Sequence, residues 1–337
     1  MSVPPVPAAT AGVQSTPGAQ TPATPASGAT SPPPQLPPSP QAAAVGAALQ
    51  ASAARQGGLG QLLAELSQAL DTPALPEPVQ AAATLVLASQ LSTDPPPTAA
   101  DLRQALVQSG LLLESGLAKG QAAPDLKAAL LTLGAALKAW LAATPPSDAP
   151  DAGQPPVPPP PYRGGPTAGQ APVLPLLPPQ APPEAVVHVL LQQTAAALAR
   201  LELTQIASLP DPSSGPSWVF ETPLLTPQGA AVAQFRVSRD KREHAGGSDP
   251  DSPVWRTAFS IDLEPVGPVH AQVVLAGGRA GVTLWAERDA TALLFRQQAS
   301  LLAAALGGAG IASDVAVRAG APSRPSPEPG RLVDRAT

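Results

Sequence analysis

The chain has 337 residues and a formal net charge of −5, and 48 prolines and 67 alanines fill about a third of it with residue types that add little to a packed core. Aromatic residues make up only 3% and charged residues 13%, so one compact globule of this length is not expected. Cysteine and asparagine are absent, which excludes disulfides, thiolate catalysis, thiolate zinc sites and N-glycosylation. So weak a net charge gives no reason to expect nucleic acid or an anionic membrane as a partner.

Residues 1–40 are mostly Pro, Ser, Thr, Gln and Ala, with twelve prolines, and the first charged side chain is Arg55. Such a stretch cannot bury enough apolar surface to offset its ordering entropy and is predicted to be a disordered leader. The competing reading is a composition-biased tail, in keeping with 15 Arg against 4 Lys. A basic start followed by an apolar run is missing, so no secretory signal peptide is expected. No run of about 18 uninterrupted apolar residues follows, so no membrane span is expected either.

Residues 41–143 form an Ala/Leu-rich helical region of four segments, 41–71, 77–91, 98–117 and 124–143, each bounded by Pro, Gly or Asp. In the third, Leu102, Ala105, Leu106, Val107 and Leu113 recur near helical spacing. The fourth repeats this with Leu126, Leu130, Leu133 and Leu137, and ends on Trp140 as a core anchor. Isolated helices of this length are marginal in water, which predicts a loose bundle or transient helices. Sixteen of the forty residues 144–183 are proline, which predicts an extended linker without a core of its own that divides the molecule. A Pro-rich ligand for an aromatic groove is the alternative, and Arg163 is its one basic anchor.

Seven of the nine aromatics lie between Glu184 and Arg318, so the folded domain is placed at 184–319, ahead of a disordered tail at 320–337. It opens with a helix over 184–203 whose Val187, Leu190, Leu191, Leu198 and Leu201 form an apolar face. Period-two alternation then predicts strands at 218–221, 231–239, 255–264, 269–275, 281–287 and 313–318. A charged loop, RDKREHAGGSDPDSP, separates the second from the third. Gly277 and Gly278 read as a hairpin turn. A helix begins at Asp289, turns Leu294, Leu301, Leu302, Ala305 and Leu306 to the core, and stops at Gly307 and Gly308. The fold class is α+β: an antiparallel sheet with one or two helices packed on one face, behind an N-terminal half that is disordered with Ala/Leu-rich helices.

Chemistry is mostly missing. His188, His244 and His270 lack the short spacings of a metal site. Asp262 and Glu264 share a strand face, as any wet strand would arrange them. GGRAG at 277–281 lacks the Lys and Ser/Thr of a phosphate loop. The basic cluster Arg236, Arg239, Lys241 and Arg242 is offset by Asp240, Glu243, Asp249 and Asp251, unlike a nucleic-acid stripe. No catalytic residue, metal or cofactor is predicted.

The stretch from Trp255 to Val317 resembles the C-terminal domain of flagellar hook-length control proteins. It carries Leu263, Glu264 and Pro265, then Gly267, a strand to Leu275, WAE at Trp285 to Glu287, a Leu-rich helix to Leu306 and glycines before Ile311. SLPDP at 208–212, WVFETP at 218–223 and AQFRVSRD at 233–240 look like the alphaproteobacterial branch. Pro265 and Gly267 are separated by one residue, a shorter spacing than the common pattern. The resemblance implies a non-enzymatic, monomeric protein of the cytoplasm that is secreted through the flagellar type III export channel. Its N-terminal half would meet hook and hook-cap subunits. Its C-terminal domain would contact the export-gate switch protein, changing substrate class from hook to filament.

Fully stretched, the 183 residues ahead of that domain would reach roughly 600 Å at ~3.3 Å per residue, and about half that as helix at ~1.5 Å. A chain without cysteine and with a marginal N-terminal half would thread a channel at little unfolding cost. The contact surface is expected at Glu264, Pro265, Val266, Gly267 and Pro268, because loops on a rigid sheet are where partners are met. The alternative is that Pro265, Gly267 and Pro268 only shape a turn. Two other classes stand beside this one: a Pro-rich cell-envelope adaptor without catalytic activity, and an unrecognised enzyme in the C-terminal domain.

Overall fold

The computed structural model describes residues 39–71, 75–120, 124–144, 157–211, 215–240 and 253–323. The leader up to residue 38, most of the charged loop and the end of the tail lie outside these residues.

Helix α1 (Pro40–Arg55) starts where the Ser39 hydroxyl accepts from the Ala42 N–H and Pro40 takes the first helical position. The single helix predicted over 41–71 is broken by Gly57 and Gly58, and α2 follows (Leu59–Leu70). Close approach explains the break: a Cβ at Gly57 would meet the Ala196 Cβ at 3.0 Å, and one at Gly58 would meet the Gln170 side chain at 2.8 Å. Helix α3 (Glu77–Leu87) leads into a two-residue strand, β1 (Leu91–Ser92), too short to carry a sequence signal. The predicted 98–117 helix is likewise two, α4 (Ala99–Val107) with a Thr98/Asp101 capping box and α5 (Leu113–Ala118). Between them Gly110 turns back at φ +87 and donates its N–H to Asp125, the N-cap of α6 (Leu126–Ala143).

Three of these helices share a core, whereas α4 and α5 bury no residue. Leu62, Leu63 and Leu66 of α2, Val79 and Val86 of α3, and Leu130, Leu133 and Leu137 of α6 are buried in one core with Val187 and Leu190 of α7 (Pro183–Ala207). Ala230 and Val232 of the sheet belong to the same core. Helix α6 is long and apolar enough to cross a membrane, but its leucine stripe is the core contact to α3 and α7. The marginality expected of isolated helices is overcome by tertiary burial, since packing of an apolar face supplies most helix stability in proteins.

The sheet has seven strands in chain order: β1, β2 (Ser217–Thr226), β3 (Gly229–Arg239), β4 (Trp255–Leu263), β5 (Gly267–Ala276), β6 (Arg279–Ala286) and β7 (Ala312–Ala319). Strands β2 to β6 form an antiparallel meander; β1 and β7 join its edges in parallel. Helix α8 (Asp289–Gly308) is the crossover that parallel pairing of β6 and β7 requires. One face carries a row of rings, Phe220 stacked on Phe235 and Phe259 tilted against it, beside the Trp218–Trp255 stack.

Helices occupy both faces, not one: α2 and α7 lie against β2 and β3, while α8 packs on the opposite face at β6 and β7. Because α8 covers only the last two strands, its buried stripe is narrow. Ala292 and Phe295 turn inward, whereas Leu294 and Leu301, predicted for the core, are 45% and 67% exposed.

The Pro-rich linker reads differently once folded. Residues 157–182 form a strap that is bonded both to α2 and to the sheet. Gln61 and Gln68 of α2 donate to the Leu174 and Leu177 carbonyls at 3.2 and 2.8 Å. Gln170 exchanges two 2.9 Å backbone hydrogen bonds with Val232 on β3. This exchange also explains how Pro223 sits inside β2: Val232, its partner across the ladder, turns its own N–H and C=O to the strap, so β3 asks no donor of Pro223. In place of a spacer that divides the molecule, the strap joins the helices to the sheet's β2 and β3 end, whose Ala230 and Val232 share the helical core, within a unit that spans Ser39–Thr337.

Candidate functional site

Strand β4 ends in the corner 264–268, which returns the chain into β5. Glu264 and Pro265 are exposed, Val266 and Pro268 are half-buried, and Gly267 is buried. Arg288, at the entry to α8, holds the corner in place: its guanidinium donates to the Glu264 carboxylate at 2.8 Å and to the Pro265 carbonyl at 2.7 Å. Thr291, one turn into α8, donates to the Val266 carbonyl at 2.7 Å, and the Glu287 N–H reaches the Pro268 carbonyl at 3.1 Å. Val266 packs on the cluster of Val269, Ala286 and Ala292. The structure thus brings all five predicted residues into one rigid turn, with two of them displayed outward.

Gly267 adopts φ +75, and a Cβ there would meet the Arg288 Cδ at 2.7 Å. Both the conformation and the close approach therefore require glycine. Gly267→Ala is expected to lower stability by about 1–3 kcal/mol, measured by urea denaturation. Pairing it with Arg288→Ala, which removes the steric collision, should cost less than the sum of the two single changes.

Charges around the corner are coupled. The Arg288 guanidinium beside Glu264 holds that carboxyl below the usual carboxylate range and is itself pushed up by it. Asp262, on the wet face of β4, moves the other way: burial raises it most, and the Glu264 and Glu287 charges add to the rise.

A second polar chain runs beside it. The Thr167 hydroxyl of the strap meets the Ser260 hydroxyl at 2.7 Å, Ser260 Oγ lies 2.6 Å from His270 Nδ1, and His270 Nε2 lies 3.0 Å from Glu287 Oε1. Serine, imidazole and carboxylate are the residue types of an acyl-transfer triad. Ser260, however, is completely buried beneath the strap and within 2.9 Å of the Thr167 carbonyl, so no substrate reaches it. The chain's physical effect is to tie strap, β4 and β5 to the residue after β6. Among the described residues no group of three or more His, Asp or Glu is placed to hold a metal ion.

Sequence reading found the corner but missed its clamp. Arg288 and Thr291 lie 24 and 25 residues from their partners in the chain. The signal was the hairpin register, which sets the end of β6 opposite the start of β5 and so delivers residues 287–291 to the corner.

Residues 243–326, about a quarter of the chain, match the family described as flagellar hook-length control protein FliK. No curated protein and no solved structure matches the chain. The matched region contains β4 to β7, α8 and the whole of the clamped corner. Over this C-terminal stretch, the chain matches the flagellar hook-length control family.

Proposed function

We propose that the protein regulates flagellar hook length without catalysing a reaction. It is exported through the flagellar type III apparatus, samples the hook and hook-cap subunits with its N-terminal part, and switches the export gate from hook to filament substrates through its C-terminal domain. The family match over residues 243–326 carries this reading. The corner supports a contact role there, since Glu264 and Pro265 are held outward on a backbone that Arg288 and Thr291 immobilise. A pre-ordered turn binds a partner without first losing conformational entropy.

A strain lacking the gene is expected to make overlong hooks without filaments; hooks of normal length bearing filaments would overturn the reading. The strap restricts where a ruler can be tested, because deleting within 157–182 would open the core. An insertion of 40 residues within 145–156, outside the described residues, should instead lengthen hooks. The expected gain lies between about 60 Å if the insert is helical, at ~1.5 Å per residue, and about 130 Å if it is stretched, at ~3.3 Å. Unchanged hook length with normal export would remove measurement by this part of the chain from the proposal.

A further inference from the structure

Strand β7 closes the sheet on one side, and among the described residues no strand lies beyond it. All eight of its residues pair with β6 in one unbroken parallel register, from Ala312 opposite Arg279 to Ala319 opposite Ala286. Backbone N–H and C=O groups on its outer side are then left to solvent, and among the described residues no hydrogen bond ties that side to another segment. Natural sheets blunt such an edge with a bulge, a proline or a very short strand. None of these interrupts β7, and no residue of it is buried.

Its two charges are placed for a particular neighbour. Asp314 and Arg318 share one face of β7, but four residues of extended chain separate them by about 13 Å, too far to pair with each other. On β6 they stand beside Gly281 and Trp285, and among the described residues neither forms an ion pair. A second β7 running antiparallel about Ala316 sets Asp314 directly opposite the partner's Arg318, twice by symmetry. The same register sets Val315 opposite the partner's Val317 on the other face. Opposite charges and β-branched residues so placed stabilise a ladder, whereas a parallel neighbour in register would set like charges against each other. Self-complementarity of this kind is what a two-fold contact requires. The valine face also carries α8, whose Leu294 and Leu301 are 45% and 67% exposed, so apolar area stands beside the edge on that side.

We infer that β7 is a self-association edge, at which two copies of the chain pair antiparallel about Ala316 and join their sheets into one. The inference goes beyond the hook-length reading and rests on none of it; a second copy replaces the monomer that the resemblance implies.

Sedimentation velocity of the full chain at low salt reads the association, over about 1 μM to about 500 μM, the span suited to contacts at the small end of interface sizes. A concentration-dependent dimer is expected. Arg318→Asp and Asp314→Arg should each weaken it about tenfold, since each sets like charges opposite one another at two places in the dimer. Combining the two exchanges restores opposite charges, so the double variant should dimerise to within about threefold of the parent. A chain that stays monomeric at every concentration overturns the inference. So do single reversals that dimerise like the parent, and a double variant no stronger than the singles. Dimers that form only after residues 324–337 are deleted assign the edge to the chain's own tail and overturn the second copy as its occupant. Both positions are exposed, and circular dichroism of each variant separates a lost dimer from a lost fold.

Discussion

Glu221→Ala is expected to remove about 3–5 kcal/mol of folding stability, because it strands a charge that the fold has already taken out of water. The charge is Arg200 on α7, 2% exposed, whose Nε and Nη2 reach the Glu221 carboxylate at 2.8 and 2.7 Å. The remaining guanidinium nitrogen donates to the Gln56 side chain at 2.6 Å and to the Pro159 carbonyl at 3.2 Å. Glu221 in turn accepts from Gln234 at 3.1 Å and Gln170 at 3.3 Å. The link between α1 and α2, the strap, α7, β2 and β3 therefore all meet at one ion pair. Urea denaturation measures the loss. A double replacement, Arg200→Met with Glu221→Leu, should recover much of it, since apolar residues of similar volume need no counter-charge. A single Glu221→Ala cost below about 1 kcal/mol, the range of a surface pair, would show that water reaches the pair.

That node also shows why the sheet was legible in the sequence and the assembly was not. Strands β3 to β6 announce themselves by local alternation: Ala233, Phe235 and Val237 to one face, Gln234 and Arg236 to the other, with the glycine turn at 277–278 fixing the hairpin register. Residues 56, 200 and 221 carry no such local signal. Gln56 and Arg200 are 144 positions apart, and neither stands in a pattern that singles it out. The strap was misread for a related reason. Proline offers no N–H and so suggests exclusion from a fold, but its carbonyl still accepts, and those of Pro158 and Pro159 do so from Gln56 and Arg200. The candidate corner was readable because Pro265, Gly267 and Pro268 mark a turn; its clamp was not, because Arg288 reaches it only through tertiary structure.

Leu63→Ala in α2 is expected to cost about 2–5 kcal/mol, and the loss should be felt in the sheet as much as in the helices. Leu63 is fully buried in the core that contains Val86, Leu133, Leu190 and Val232, and α2 packs directly on α3, α7 and β3. A cavity there weakens contacts to every one of these elements at once. Hydrogen exchange resolves the question residue by residue: amides of β2 and β3 should lose protection by the same free energy as those of α6 and α7 if one cooperative unit unfolds. Protection falling in the helices alone would show that the helical region and the sheet unfold separately. The outcome bears on the export proposed above, in which the chain would pass through a narrow channel. A region of transient helices would thread with little resistance, whereas a helical layer bound to the sheet by a shared core, the strap and the Arg200–Glu221 pair must first be opened as a whole. On that account Leu63→Ala, which lowers the unfolding cost without touching the corner, should leave export of the chain intact or faster.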